Sequence, residues 1–257
     1  MRFKLVLTVQ SEFTGNVLPV SYQYELTSCV HRILTEDRVA YEQWLGMNGF
    51  LPEMNTRYKL MSVSNLYIPK IKVEEDRLCI LAKRVQLWIS TMPERGTEEF
   101  IQRAFLGREI LLGDRRSQVA FKIDEIHKSE PVEYTETMSY LSLSPIVISC
   151  MRNNRSFEYI GPDCPDYEEF LMQSILEKYQ YFYGKEFPYE FDFKLELIAP
   201  PKRKGIFIKR FTREESKVIG YMYKFKLTLH PILQELIHKT GLGDKISLGF
   251  GCIEIYE

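Results

Sequence analysis

Apolar positions along the chain switch between a period of two and a period near 3.6, and the switches predict an order of strands and helices that occurs twice. Arg2–Val9 reads as a strand, and Tyr22–Leu34 as a helix whose Leu26, Cys29, Val30, Ile33 and Leu34 form one apolar stripe. Glu36–Leu45 continues as a second helix or helical turn. Strand-like runs follow at Tyr58–Leu66, Arg77–Ala82 and Arg84–Thr91, then a helix at Thr97–Phe105 and strands up to Ile126. Glu130 and Pro131 mark the expected boundary, which divides the chain into residues 1–130 and 131–257.

The second half is expected to follow the same order. A strand at Leu141–Ser149 leads to a helix from Asp166, where Asp166 and Glu169 form an Asp-x-x-Glu capping pattern and Gly184 supplies the stop. Strands at Phe191–Ile198, Gly205–Phe211 and Lys217–Thr228 come next, then a short helix at Pro231–Thr240 and a last strand at Gly251–Tyr256. The expected fold class is α+β, built as two tandem ferredoxin-like (RNA-recognition-motif-like) βαββαβ domains. No sequence-level repeat joins the halves, so the repetition is one of pattern only.

Composition narrows the class. With 257 residues, 45% of them hydrophobic, the chain can bury a substantial core. No apolar run reaches the roughly 18 residues of a membrane span, and the start lacks a signal-peptide core, so a soluble, cytoplasmic protein without a membrane partner is expected. Cys29, Cys79, Cys150, Cys164 and Cys252 are scattered, odd in number and without ligand-like pairs. Neither a disulfide framework nor a zinc site follows from them, and no metal or cofactor is expected.

The chemistry-bearing stretch is Thr240–Ile255, in which Gly241, Gly243, Gly249 and Gly251 surround Lys245 and Ser247. Glycines let backbone amides approach a ligand closely, which suits a phosphate cradle. A nucleotide loop fails on spacing: no Gly-Lys-Ser/Thr triplet follows, Ile246 stands where a third glycine would, and a strand replaces the helix. A polynucleotide backbone is the better guest, with a nucleotide enzyme as the remaining alternative. Net charge is −1, yet Lys202, Arg203, Lys204, Lys209, Arg210, Arg213, Lys217, Lys224 and Lys226 face only Glu214 and Glu215 in their stretch. Such a run can simply decorate a solvated hairpin. The interleaved Phe207, Phe211, Tyr221, Tyr223 and Phe225 favour single-stranded or loop RNA, because bases stack on aromatic faces beside cations.

Ser247-Leu-Gly-Phe-Gly251 before a last strand, Met1-Arg-Phe-Lys-Leu-Val-Leu leading to Leu18-Pro-Val-Ser-Tyr-Gln-Tyr24, and Leu143-Ser-Pro-Ile-Val-Ile148 together carry a resemblance over nearly the whole chain. The chain resembles the CRISPR-associated endoribonucleases of the RAMP superfamily that cut precursor repeat RNA into guide RNAs. The resemblance implies the tandem ferredoxin-like fold and CRISPR repeat RNA as partner. It also implies cleavage by 2′-hydroxyl attack that leaves a 2′,3′-cyclic phosphate and a 5′-hydroxyl. Other CRISPR effector subunits are candidate partners, and a monomer or a homodimer is expected.

Metal-free RNA cleavage needs a base for the 2′-hydroxyl proton, an acid for the departing 5′-oxygen and a cation for the charged phosphorane. The family commonly places a histidine after a Leu just ahead of a Gly-Phe pair; here Trp44-Leu-Gly-Met-Asn-Gly-Phe50 puts Gly46 there. His31 is the substitute, on the polar side of the first helix with Tyr24 and Ser28, although a surface histidine without a role would look the same. Tyr24 or Tyr22 would orient groups or transfer protons, and Lys59 or Arg57 would steady the phosphate; ordinary charge and packing explain them equally well. His127, His230 and His238 fall at element ends, where a histidine needs no function. The candidate catalytic set is His31, Tyr24 and Lys59. The candidate RNA-binding set is Lys202, Arg203, Lys204, Lys209, Arg210, Gly241, Gly243, Lys245, Ser247, Gly249 and Gly251. If Gly46 marks a lost activity, the chain is instead a catalytically silent RNA binder.

Overall fold

The computed structural model describes residues 1–51, 59–152 and 156–256. The first half runs β1 (Arg2–Val9), α1 (Ser11–Thr14), β2 (Val17–Pro19), α2 (Gln23–Thr35), α3 (Arg38–Met47) and β3 (Met61–Val63). It continues with β4 (Ile71–Glu74), β5 (Arg77–Ile80), β6 (Arg84–Thr91), α4 (Thr97–Phe105), β7 (Glu109–Gly113) and β8 (Gln118–Lys128). The second half runs β9 (Thr137–Ser142), β10 (Ile148–Arg152), β11 (Ser156–Ile160), α5 (Tyr167–Tyr183) and β12 (Lys194–Leu197). It closes with β13 (Lys202–Ile208), β14 (Ser216–Met222), β15 (Lys224–Thr228), α6 (Pro231–Thr240) and β16 (Ile253–Ile255).

Of the five antiparallel sheets among the described residues, the two largest organise the halves, in the orders β3-β6-β1-β8-β7 and β12-β15-β9-β16. In each, the first strand of the half lies between the third and fourth of its βαββαβ order, which is the ferredoxin-like arrangement. Alternation explains the faces: Phe3, Leu5 and Leu7 of β1 point into the core, as do Phe225 and Leu227 of β15, while Lys224 and Lys226 point out. Leu26, Val30 and Leu34 of α2 and Ile101 and Phe105 of α4 meet the first set. α6 begins with His230 as N-cap and Pro231 in the first turn, and Gln234 ties it to its own sheet by donating to the Leu227 carbonyl at 2.8 Å.

One continuous apolar core runs through both halves, from Phe3 to Ile253. Polar contacts reinforce the join. Buried Arg2 donates to the Ile253 carbonyl at 3.0 Å and lies 2.9 Å from Glu254, and Lys239 lies 2.6 Å from Glu94.

Several expected strands are divided in the fold. Leu141–Ser149 is not one strand: β9 ends at Ser142, Pro145 lacks a ladder donor, and the next strand starts at Ile148. Lys217–Thr228 also divides, because the chain leaves the β13–β14 hairpin at Tyr223 and joins the four-stranded sheet. Tyr223 is held at that crossing by Ser142 Oγ, which accepts from its amide at 2.9 Å, and by a 2.6 Å bond between its hydroxyl and that of Tyr167. The strand expected from Tyr58 is shorter, Met61–Val63, and Tyr58 lies outside the described residues. Asp166 does stand at the N-cap of α5, but its side chain makes no capping bond; Gly184, at φ +68°, ends the helix as expected.

Candidate nucleic-acid interface and active site

α2 buries more than its apolar stripe. Gln23 and Thr27 are buried as well, because the glycine-rich loop lies against them. A Cβ on Gly249, at φ +91°, would stand 2.7 Å from both the Gln23 carbonyl oxygen and Thr27 Oγ1, so only glycine permits this approach. Along the same helix, Gln23 Oε1, Thr27 Oγ1 and His31 Nε2 are buried and have no hydrogen-bond partner among the described residues. Those three residues sit at i, i+4 and i+8, one row on one face. A buried polar atom without a partner costs about 1–3 kcal/mol, so a row of three is a place where hydrogen-bonding capacity is held open.

His31 is half-buried at the end of that row. Burial, and secondarily the charge of Lys59, pushes its pKa down to about 4, so the ring is neutral at pH 7 and can accept a proton. Burial also lowers the pKa of Lys59. The two candidate catalytic side chains are thus brought into electrostatic reach of each other. Tyr24 packs against Val147, Ile206, Ile208, Val218 and Phe250. Tyr22 is buried; its hydroxyl accepts from the Leu66 amide at 2.9 Å and burial raises its pKa, which makes it a structural residue. Arg57 lies outside the described residues. Gly46 is on α3, where an added Cβ would meet open space, so packing does not explain the glycine.

The loop's glycines serve packing. Gly241, Gly243, Gly249 and Gly251 are all buried. A Cβ at Gly243 would stand 2.5 Å from the Val147 carbonyl oxygen and one at Gly251 2.2 Å from that of Leu242. Amides of Leu242, Asp244 and Gly251 donate to Gly251, Val147 and Pro145 carbonyls at 2.7, 2.7 and 2.9 Å. Beneath them, fully buried Lys178 of α5 donates to the Gly241 carbonyl; burial lowers its pKa to about 7 against the opposing charge of Asp244. Lys245 is exposed and held at φ +59°, a conformation rare outside glycine, and Ser247 is half-exposed. The loop therefore presents a lysine and a hydroxyl on a tightly packed frame.

The basic run divides between two surfaces. Lys202, Arg203 and Lys204 stand exposed on β13. Lys209 pairs with Glu214, while Arg210 reaches Asp76 at 2.8 Å and stacks over Phe207 and Phe211 at 5.5 and 5.2 Å. Arg210 thus ties the hairpin tip to the first half. Lys224 and Lys226 belong to the open face of the four-stranded sheet. Among the interleaved aromatics, Tyr223 and Phe225 are core residues.

The other histidines are structurally accounted for: His127 pairs with Glu125 at 2.9 Å, His230 caps α6, and buried His238 lies 2.9 Å from the Tyr134 hydroxyl. Among the described residues, no three His, Cys, Asp or Glu side chains are placed to hold a metal. No helix of the described residues is long and apolar enough to cross a membrane. Sequence reasoning missed Gln23, Thr27 and Lys178. The signals were present: two polar residues one helical turn apart ahead of His31, and a lysine at a core position of the apolar stripe Leu171, Ile175, Tyr179 and Phe182.

The family described as "CRISPR associated protein Cas6, C-terminal" matches residues 128–255. The "CRISPR-associated endoribonuclease Cas6" of Pyrococcus furiosus is 23% identical over 256 residues, which is 99% of this chain and 90% of the relative. The chain carries the C-terminal domain of the Cas6 family. Solved structures of the same fold include one titled "Characterization of a Cas6-related gene from Pyrococcus furiosus", with a TM-score of 0.81 at 22% identity over 100% of this chain and 98% of that one. Another is titled "An RAMP protein binding different RNA substrates", with a TM-score of 0.79 at 20% identity over 100% of both chains. Cas6 and RAMP structures thus share the tandem ferredoxin-like fold described above. The glycine-rich loop and β16 both lie within the matched Cas6 segment.

Proposed function

We propose that this chain is a metal-independent Cas6-family endoribonuclease that binds CRISPR repeat RNA and cleaves precursor transcripts into guide RNAs. Residues 1–130 supply the chemistry and residues 131–257 the grip. The observation that carries this reading is the row Gln23, Thr27 and His31 on α2, buried polar atoms without partners, with the glycine-rich loop packed against its first two residues. RNA held by Lys202, Arg203, Lys204, Lys245 and Ser247 lies beside the helix that bears His31. A relative of the same fold, titled as a RAMP protein that binds RNA substrates, supports the choice of ligand.

His31, neutral at pH 7, takes the proton of the 2′-hydroxyl. The 2′-oxygen attacks the adjacent phosphorus, Lys59 offsets the charge of the phosphorane, and the bond to the 5′-oxygen breaks. A proton delivered to that oxygen, with Tyr24 the candidate donor, completes a 2′,3′-cyclic phosphate and a 5′-hydroxyl. The test is incubation of labelled repeat RNA in excess EDTA with analysis of product ends. Cleavage that requires added magnesium would sink the metal-free step.

A second reading, a silent RNA binder, is favoured by Gly46 and by the burial of His31 Nε2. It predicts binding without cutting under every condition.

A further inference from the structure

Beside the glycine-rich loop lies a groove of about 640 Å³ between β10, β11 and α5. Its size falls within the roughly 300–1,000 Å³ of small-molecule sites. One wall carries Met151 and Phe157, which are cross-strand partners and therefore share a face of the hairpin. They are 55% and 70% exposed, an apolar pair presented to solvent at the groove's mouth. The facing wall on α5 carries Gln173 and Glu177, whose side chains lie 3.1 Å apart at i and i+4. The floor is the loop, with exposed Lys245 and half-exposed Ser247; Asp244 is occupied there, accepting from the Ser149 amide at 2.9 Å.

We propose that this groove is a nucleobase pocket that takes one unpaired base of the bound RNA, stacked on Phe157, with the adjoining phosphate on Lys245. The proposal rests on the RNA-binding reading above. Apolar surface decides between base and phosphate as the occupant. Met151 and Phe157 suit the face of a neutral base and offer a phosphate nothing, and the Gln173 amide can hydrogen-bond a base edge. The cation stands on the floor's exposed rim, where a backbone would pass. A residue held at positive φ is a strained conformation of the kind found at ligand sites, and Lys245 is the loop's exposed residue. A paired base cannot enter, because its edge and faces are already occupied in the duplex stack.

The test is an abasic scan. Repeat RNA of the host array, with one base removed at each position in turn, is titrated against wild type and Phe157→Ala. One abasic position is expected to weaken wild-type binding about 5- to 150-fold, the range of one base stacked on an aromatic ring. Phe157→Ala should bind intact RNA weaker by the same factor, and that abasic substitution should then add nothing. Phe157→Tyr should restore affinity, which separates stacking from misfolding. Equal abasic losses in both proteins, or wild-type affinity in Phe157→Ala, would overturn the pocket while leaving RNA binding intact. A wild type that binds no repeat RNA would overturn the parent reading and this one with it.

Discussion

Gly249→Ala tests the join between the glycine-rich loop and α2. At φ +91° an alanine adopts a backbone conformation that costs about 1–2 kcal/mol. Its Cβ would also stand 2.7 Å from the Gln23 carbonyl oxygen and from Thr27 Oγ1. The first is helix backbone and cannot rotate away, so α2 or the loop must shift, at about 1–3 kcal/mol for overpacking. The sum is about 2–5 kcal/mol, or about 4–20 °C in Tm for a chain of this size. Urea titration followed by tryptophan fluorescence reads the change, since buried Trp44 and half-buried Trp88 are the chain's two tryptophans. Gly46→Ala is the control: an added Cβ there meets open space inside a helix, and the substitution should stabilise by up to about 1 kcal/mol. RNA affinity should fall together with stability in Gly249→Ala. A Gly249→Ala protein with the wild-type midpoint would refute the packing of the loop on α2.

Lys245→Gly should raise the urea midpoint, because glycine accepts φ +59° without strain, while lowering RNA affinity. The slope of log Kd against log salt should drop by about one phosphate contact, and an unchanged slope would move the RNA elsewhere. If His31 is the base with a pKa of about 4, the cleavage rate should stay level from pH 8 down to about 5.5, whereas an ordinary histidine would be only about one-tenth neutral there. A tenfold loss of rate over that range contradicts the assignment. Lys178 has a folded pKa lowered to about 7 by burial, so between there and about 10.5 the unfolded chain holds the extra proton and stability rises with pH. That contribution is complete at the alkaline end and lost as pH falls toward 7. Lys178→Met should flatten the rise in urea midpoint between pH 7 and 9, and a slope equal to wild type would contradict the burial.

Residue patterns made α2, α4 and α6 legible because each buries one face. The stripe from Leu26 to Leu34, the helix Thr97–Phe105 and the Pro231 start of α6 stand where periodicity and capping put them. Strand partners were less legible. Alternation reports which face a residue takes and says nothing of which strand lies beside it, so Lys217–Thr228 reads as one strand although its two parts belong to different sheets. The glycines announced a close approach without revealing its partner, which proved to be carbonyls of this chain at Gln23, Val147 and Leu242. The charge run likewise hid a division between two surfaces, with Arg210 turned to Asp76. His31 was legible as a polar-face histidine; its partial burial was not, because that depends on chain distant in sequence.

The most direct measurement is single-turnover cleavage of labelled repeat RNA in EDTA by wild type and by His31→Ala, with binding measured on the same samples. Wild type should cut at one position, and His31→Ala should bind as tightly and not cut. Cutting by His31→Ala at the wild-type rate would contradict the assignment of the base, and binding without cutting by wild type would establish the silent binder.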